Sequence, residues 1–382
     1  MDKGQWKIIS VALIAMVLAG CRHDEPVLPS ETEQVGEADQ TEIAGFYLLN
    51  EGNMGSNKAT LDYYDYSSGN YTRNIYATAN PNVVKELGDV GNDMQLYGER
   101  LYAVINCSNK IEVMDARTAK RIGQIDIPNC RYICFSGQYA YVTSYAGPVS
   151  LDPSKAQIGY VARIDTATLE ITAQCLVGYQ PDELAVVGDK LYVANSGGYM
   201  VPNYDHTVSV IDLNTFTETG KIDVAPNLHR IRADRYGRLW VSSRGDYYDI
   251  PPKLFCIDPK DGSVVSELDV AASDMDIVGD SIYTCATAWD YIHMTDAVSY
   301  KIVDIKRMEV VSDNFITDGN DSQITKPYGV KINPRTREIF VTDAKNYVTP
   351  GDLYCFSPEG VLKWKVLTGD IPSSITFIYK QQ

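Results

Sequence analysis

The sequence predicts an all-β chain folded as a seven-bladed β-propeller, with four antiparallel strands per blade. Three observations predict it. First, a strand ending in an Asp turn recurs: Tyr63-Tyr64-Asp65, Val113-Met114-Asp115, Arg163-Ile164-Asp165, Val210-Ile211-Asp212, Cys256-Ile257-Asp258, Ile302-Val303-Asp304 and, with Ser in the Asp place, Cys355-Phe356-Ser357. These copies lie about 46 to 53 residues apart. Second, an apolar strand precedes each copy, at 46–50, 101–104, 140–142, 191–193, 239–241, 282–284 and 339–341. Third, a period of 40–50 residues with room for about four strands is that of a propeller blade.

The segment before the repeats reads as targeting sequence. Lys3 and Lys7 supply a positive region, residues 8–18 are apolar, and Leu18-Ala19-Gly20-Cys21 resembles a bacterial lipobox. Residues 1–20 are therefore expected to be a signal peptide and Cys21 the lipidated residue. An ordinary signal peptide with a chance Cys is the alternative. No other apolar run approaches the ~20 residues needed to span a bilayer, so anchoring rather than embedding is expected. Residues 21–43 read as the lipidated Cys and a flexible acidic tether, reaching as a coil on the order of 25 Å. Arg22-His23-Asp24-Glu25 resembles the acidic export signal of surface lipoproteins in Bacteroides-like bacteria. That implies an outer-membrane, surface-exposed protein; a plain solvated linker is the alternative. Residues 44–382 read as the propeller.

The unit is clearest at 188–215. A Gly188-Asp189 turn leads into Leu191-Tyr192-Val193-Ala194-Asn195, a Gly- and Tyr-rich loop follows, and Val208-Ser209-Val210-Ile211-Asp212 ends in a turn. Period-2 patterning bounded by Gly, Asn and Asp predicts antiparallel strands. An outer strand (D) follows each Asp turn, and an inner strand (A) precedes each Gly-Asp turn. Inner strands are expected to start near Asp93, Arg131, Asp182, His229, Asp274, Tyr328 and Ser373. The first blade then lacks an inner strand unless residues 374–379 supply it. Pairing the chain ends in this way closes the ring and leaves no long open edge.

Strand direction alternates, so loops sort onto two faces. The A–B and C–D turns on one face are short. The B–C loops and D–A crossovers on the other are longer and rich in Tyr, Asn and Arg. Tyr is unusually abundant (27, against 8 Phe), and its ring gives rigid contact area with a polar tip. The predicted ligand face comprises Asn53, Asn92, Asp93, Tyr132, Tyr145, Asn195, Tyr199, His229, Arg230, Arg244, Tyr247, Tyr248, Trp289, Tyr328 and Tyr347. The loop 195–204 is expected to face the ligand. Such a surface suits a large ligand that is part ring and part amide, or a partner protein. For any single residue the bland reading is a capped β-turn.

Motifs for catalysis are sparse. The 34 basic against 50 acidic side chains argue against nucleic acid as a partner. Four His residues form no zinc cluster, and no Gly-x-Ser-x-Gly elbow occurs. Asp93, Asp182, Asp274 and Asp343 at blade mouths could ring a Ca²⁺, or could satisfy strand-end backbone groups. His229 could ligate a metal-bearing ligand, or serve the fold. No catalytic residue, metal or resident cofactor is assigned. Cys134, Cys175, Cys256, Cys285 and Cys355 read as core residues, whereas Cys107 and Cys130 are candidates for a disulfide in an oxidising compartment.

The lipobox, the acidic tether, the opening Phe46-Tyr47-Leu48-Leu49-Asn50-Glu51-Gly52-Asn53 and the seven blades resemble the YncE-like propeller lipoproteins of gut Bacteroides. More narrowly, residues 44–380 resemble the BtuG-type cobalamin-binding surface lipoproteins. The resemblance implies capture of cobalamin and related corrinoids, and handover to a TonB-dependent outer-membrane transporter. It transfers no ligand contact residue by residue. Two readings compete: a lactonase-like or quinoprotein-like propeller enzyme, and a module that binds protein or glycan alone.

Overall fold

The computed structural model describes residues 30–83, 87–150, 152–290 and 295–380, without the side chains of 153, 289–290 and 295–296. The proposed signal peptide, the lipobox and the first part of the proposed tether, residues 21–29, lie outside the described residues. Seven antiparallel sheets form the ring: six of four strands and one of five. The expected inner strands are all present, at Gly91–Tyr97, Cys130–Ser136, Pro181–Val187, Leu228–Ala233, Asp274–Val278, Pro327–Ile332 and Pro372–Tyr379. We number the blades 1 to 7 from the N-terminus.

Blade 1 closes the ring as the sequence predicts. Ile43–Asn50 pairs antiparallel with Pro372–Tyr379, setting Phe46 against Phe377 and Leu48 against Ile375. The fifth strand was not foreseen. Glu31–Gln34 pairs with the outer strand Asn70–Arg73. Beyond it, Val35 and Gly36 donate backbone N–H groups to Gly69. From Ser30 onward the segment read as tether therefore runs along blade 1 and covers its outer edge.

The strand patterns have a physical explanation. Leu191, Tyr192, Val193 and Ala194 are all buried, because a blade's middle strands are sandwiched between two neighbouring blades. Period-2 contrast survives mainly at the rim, as in Ile171–Tyr179 and Leu362–Asp370. Each of the seven apolar clusters spans the seam between two adjacent blades, the last joining blade 7 to blade 1. The repeated Asp is explained by the C–D turn. Asp115, Asp165, Asp212 and Asp304 each accept backbone N–H bonds from the residues two and three positions on. In blade 7 the Ser357 hydroxyl accepts from Glu359 and Val361 instead. Such side-chain capping is why the residue recurs.

Blade 6 departs from the others. Its middle strands, Ser281–Asp290 and Thr295–Asp304, are ten residues each and stay paired up to Asp290 and Thr295. The equivalent strand of blade 5, Leu239–Ser243, has five. At ~3.3 Å per residue the blade 6 hairpin stands on the order of 13 Å above the loop face. Among the described residues no helix is long and apolar enough to cross a membrane.

Candidate functional site

The inner strands begin on the face that carries the long loops, so their first residues ring a central mouth. A cavity of about 230 Å³ opens there. Asn92, Arg131, Tyr132, His229, Arg230 and Tyr328 line it from inner-strand starts of blades 2, 3, 5 and 7. Glu51, Arg244 and Tyr347 reach it from B–C loops, and Thr287 from the blade 6 hairpin. Below it the ring encloses a channel of about 460 Å³ lined by inner strands.

The mouth is built around one carboxylate. Asp182, the second residue of blade 4's inner strand, has no solvent exposure. Its Oδ1 accepts the Tyr145 hydroxyl at 2.6 Å. Its Oδ2 lies 3.0 Å from His229 Nδ1 and accepts Arg244 Nη1 at 3.2 Å. Arg131 Nε approaches Oδ1 to 3.5 Å. Burial alone would push the Asp182 pKa up. The His229 hydrogen bond and the guanidinium groups of Arg131 and Arg244 outweigh it and hold the carboxyl well below its ordinary range. His229 is driven the other way. Burial, then the charges of Arg244 and Arg230, hold it well below the usual imidazole range against the pull of Asp182, so it is neutral at pH 7. Its Nδ1 also lies 2.8 Å from Arg244 Nη2. One nitrogen can donate to Asp182 or accept from Arg244, not both.

Aromatic rings separate the cations. The Arg131 guanidinium sits 4.9 Å from the Tyr145 ring centre, and that of Arg230 lies 5.1 Å from Tyr132. Tyr132 meets His229 edge-on at 6.0 Å. These contacts stabilise cations that are partly removed from water. On the opposite wall Tyr328 donates its hydroxyl to Glu51 Oε2 at 2.9 Å and packs edge-on against Tyr347. Burial pushes the Glu51 carboxyl up to about 7, against the Tyr328 hydrogen bond and the charges of Arg131 and Arg230. It is thus part-protonated near neutrality.

The acidic residues expected at blade mouths mostly bind backbone. Asp93 accepts the Ile133 N–H at 3.0 Å and Asp274 the Val330 N–H at 3.0 Å, each from the next blade's inner strand. Glu183 and Asp276 do the same for Ile231 and Ile332. Asp343 accepts from the N–H groups of Thr325, Lys326 and Lys345. In the channel Arg232 links Glu183, Asp274 and Asp276, and Lys331 joins Asp276. Among the described residues no three His, Cys, Asp or Glu side chains converge as a metal site.

Of the residues read as the ligand face, Asn92, Tyr132, His229, Arg230, Arg244, Tyr328 and Tyr347 share the mouth cavity. Asp93 lines the channel beneath, and Tyr145 is the buried support of Asp182. Tyr199, Tyr247 and Tyr248 are exposed on B–C loops. Asn53 sits in the blade 1 loop outside the cavity. The Trp289 side chain lies outside the described residues. Asn195 is the clear exception to the expectation for its loop. It is fully buried within blade 4, accepting Gly178 N–H and donating to Thr207 and Ser209. Its neighbour Tyr204 is buried too, so only the middle of 195–204 faces outward. Arg131, Asp182 and Glu51 are residues that the sequence placed on this face but left out of the predicted ligand set, Asp182 being read only as a possible Ca²⁺ ligand or strand-end support. The signal for them was position alone, at the first inner-strand residues and in the first B–C loop. Cys107 and Cys130 are free thiols, with Cys130 bonded to main-chain carbonyls.

One further feature marks this face. Met54, Val149, Val201, Ile250 and Val348 join Tyr199, Tyr247, Tyr248 and Tyr347 as exposed apolar groups on its loops. Ala146, Tyr247 and Tyr347 hold φ of 69°, 66° and 62° there. A bulky residue in that left-handed region costs ~1–2 kcal/mol; the C–D turns of the opposite face hold Ala119, Leu169, Phe216 and Met308 in the same region, so this backbone is not peculiar to the mouth face.

The ring and its one elaborated face define the chain as a seven-bladed propeller with a built central mouth. Residues 44–360 match the family described as "Domain of unknown function (DUF5074)", and the chain belongs to that family. No curated protein matches it. Among solved structures it is similar to the Kuenenia stuttgartiensis hydrazine synthase (15% identity, TM-score 0.60, covering 76% of this chain and 95% of that one). It is equally similar to a quinoprotein alcohol dehydrogenase-like protein from Bacteroides thetaiotaomicron (13% identity, TM-score 0.60, covering 89% and 79%). The Neurospora crassa Pan2 WD40 domain is more distant (12% identity, TM-score 0.51, covering 76% and 80%). Identities this low show a shared fold and nothing more. Family and Bacteroides neighbour together fit a YncE-like propeller.

Proposed function

We propose that this chain is a binding protein, not an enzyme, that captures cobalamin and related corrinoids on its loop face. In this reading it is lipid-anchored at Cys21 on the outer-membrane surface and passes its ligand to a TonB-dependent transporter. The observation that carries the proposal is the arrangement of that face. Exposed Tyr rings and aliphatic groups crown a mouth whose floor is hydrogen-bonding and charged. A corrinoid offers the complement: a broad ring for the crown, and peripheral amides for the floor and the loop backbone. The mouth itself is pre-organised by buried ion pairs, so little ordering cost attends binding. A ligand lacking an amide would leave buried donors unpaired, which confers selectivity.

Equilibrium dialysis against cyanocobalamin tests this. Retention of red colour at 1:1 stoichiometry is expected, and loss of binding when Tyr247, Tyr248 and Tyr347 are changed together to Ala. No retention by folded protein would overturn the reading. Undiminished binding by the triple variant would move the ligand off this face.

A further inference from the structure

The floor of the mouth carries more cationic hydrogen-bonding capacity than the protein uses. An Arg side chain has five N–H donors. Among the described residues the Arg131 side chain donates no hydrogen bond; its buried Nε only approaches Asp182 Oδ1 as an ion pair at 3.5 Å. Among the described residues the one carboxylate within ion-pair distance of it, Asp182, already serves Tyr145, His229 and Arg244. Arg244 keeps about a third of its side chain exposed above the same carboxylate. The third mouth arginine differs: Arg230 is matched by Asp274 at 3.3 Å and Glu183 at 3.8 Å. Glu51 makes no ion pair with Arg131 or Arg244 and is spent on Tyr328. Two guanidinium groups thus share one buried carboxylate, leaving a positive charge and open donors facing a cavity. In a site of low dielectric such an imbalance favours an anionic guest.

We propose that Arg131 and Arg244 form an oxyanion subsite that takes one phosphodiester or carboxylate group of the ligand. Combined with the corrinoid reading, on which this arm rests, the group is the phosphodiester of the cobalamin nucleotide loop. For another ligand it is a carboxylate. Guanidinium geometry suits either, since the planar fork pairs with two oxygens at once.

The test uses the full chain and three proteins: wild type, Arg244→Gln and Arg131→Lys. Calorimetry compares cyanocobalamin with cobinamide, which lacks the phosphodiester. Thermal melting compares inorganic phosphate and citrate with chloride at equal ionic strength. Wild type is expected to prefer cobalamin by tenfold or more, and the variants to lose most of that preference, their affinity for cobalamin falling further than their affinity for cobinamide. Phosphate is expected to raise the wild-type melting midpoint and not that of Arg244→Gln. Equal loss for both corrinoids in folded variants, with no phosphate effect, overturns the subsite and leaves the corrinoid reading standing. If neither corrinoid binds but citrate or phosphate protects wild type in an Arg244-dependent way, the subsite stands and the corrinoid reading falls. If neither corrinoid nor anion acts, both fall. Arg244 is part-exposed, so its variant is expected to fold even if Arg131→Lys does not.

Discussion

His229 Nδ1 and Asp182 Oδ2 lie 3.0 Å apart across the seam between blades 5 and 4, both buried. The pair does not stand alone. Asp182 is the counterion around which Arg131, Arg244 and the Tyr145 hydroxyl are arranged, so removing it strands several groups at once.

Asp182→Ala is therefore expected to destabilise the fold by ~3–5 kcal/mol, the usual cost of leaving buried charges without their partner. Urea denaturation measures it. The acid limb supplies a second readout. The Asp182 carboxyl is held below its unfolded value of 3.8. Its contribution is thus present above about pH 4 and lost as pH falls below. Asp182→Asn should be less stable than wild type at neutral pH, with the difference narrowing in acid.

Glu51 predicts the opposite slope. Its carboxyl is raised from 4.5 to about 7, so between those values the folded state binds the extra proton. Stability from this residue falls as pH rises through that window. His229 opposes it, because its depressed imidazole costs stability as pH falls below about 6.5. The difference in melting midpoint between wild type and Glu51→Gln, followed from pH 4.5 to 7.5, isolates the Glu51 term. The variant is expected to gain on wild type toward the alkaline end. A flat difference would mean that Glu51 is fully solvated.

Tyr247 and Tyr347 sit in left-handed backbone at φ 66° and 62° on the ligand face. Gly adopts that conformation without strain. Tyr247→Gly and Tyr347→Gly are expected to keep or raise stability, by up to ~1 kcal/mol each, because relief of strain competes with greater unfolded-state entropy. Each should weaken corrinoid binding roughly tenfold, as loss of an aromatic anchor does. Calorimetric titration beside thermal melting checks both. Parallel loss of stability and binding would assign these rings to the fold.

Asn195→Ala should do the reverse. It leaves Gly178 N–H without its acceptor and Thr207 and Ser209 without their donor. A loss of ~1–3 kcal/mol is expected, with ligand affinity unchanged once the protein is folded. A binding defect at full stability would return Asn195 to the site.

Much of the fold was legible because it is written locally. In four of the seven C–D turns the Asp bonds N–H groups both two and three residues on, so Asp115 and Asp212 mark blades without reference to anything distant. The fifth strand of blade 1 was not legible. Glu31–Gln34 has no apolar alternation, since its side chains are all exposed and it pairs with Asn70–Arg73 through its backbone and the polar contacts Thr32–Thr72 and Glu31–Arg73. In the site, counting strands sorted the loops onto two faces correctly, and so placed Tyr132, His229, Arg230 and Tyr328 at one mouth. It could not say which way a side chain turns. Asn195 and Tyr199 stand four residues apart in one loop, yet one is locked between strands and the other is exposed.

The sequence by itself determined the seven blades, their closure through residues 374–379, and which ends of the strands share a face. Period-2 burial and turn chemistry act within a few residues, and the ring follows from repeating them. Only the tertiary structure decided that Asp182 is the hub of the mouth, that Glu51 is held by Tyr328, and that Arg131 is left with unused donors. Those facts depend on groups dozens to hundreds of residues apart, brought together where inner strands of different blades converge. In that partly desolvated space a carboxylate that serves several partners leaves one of them short.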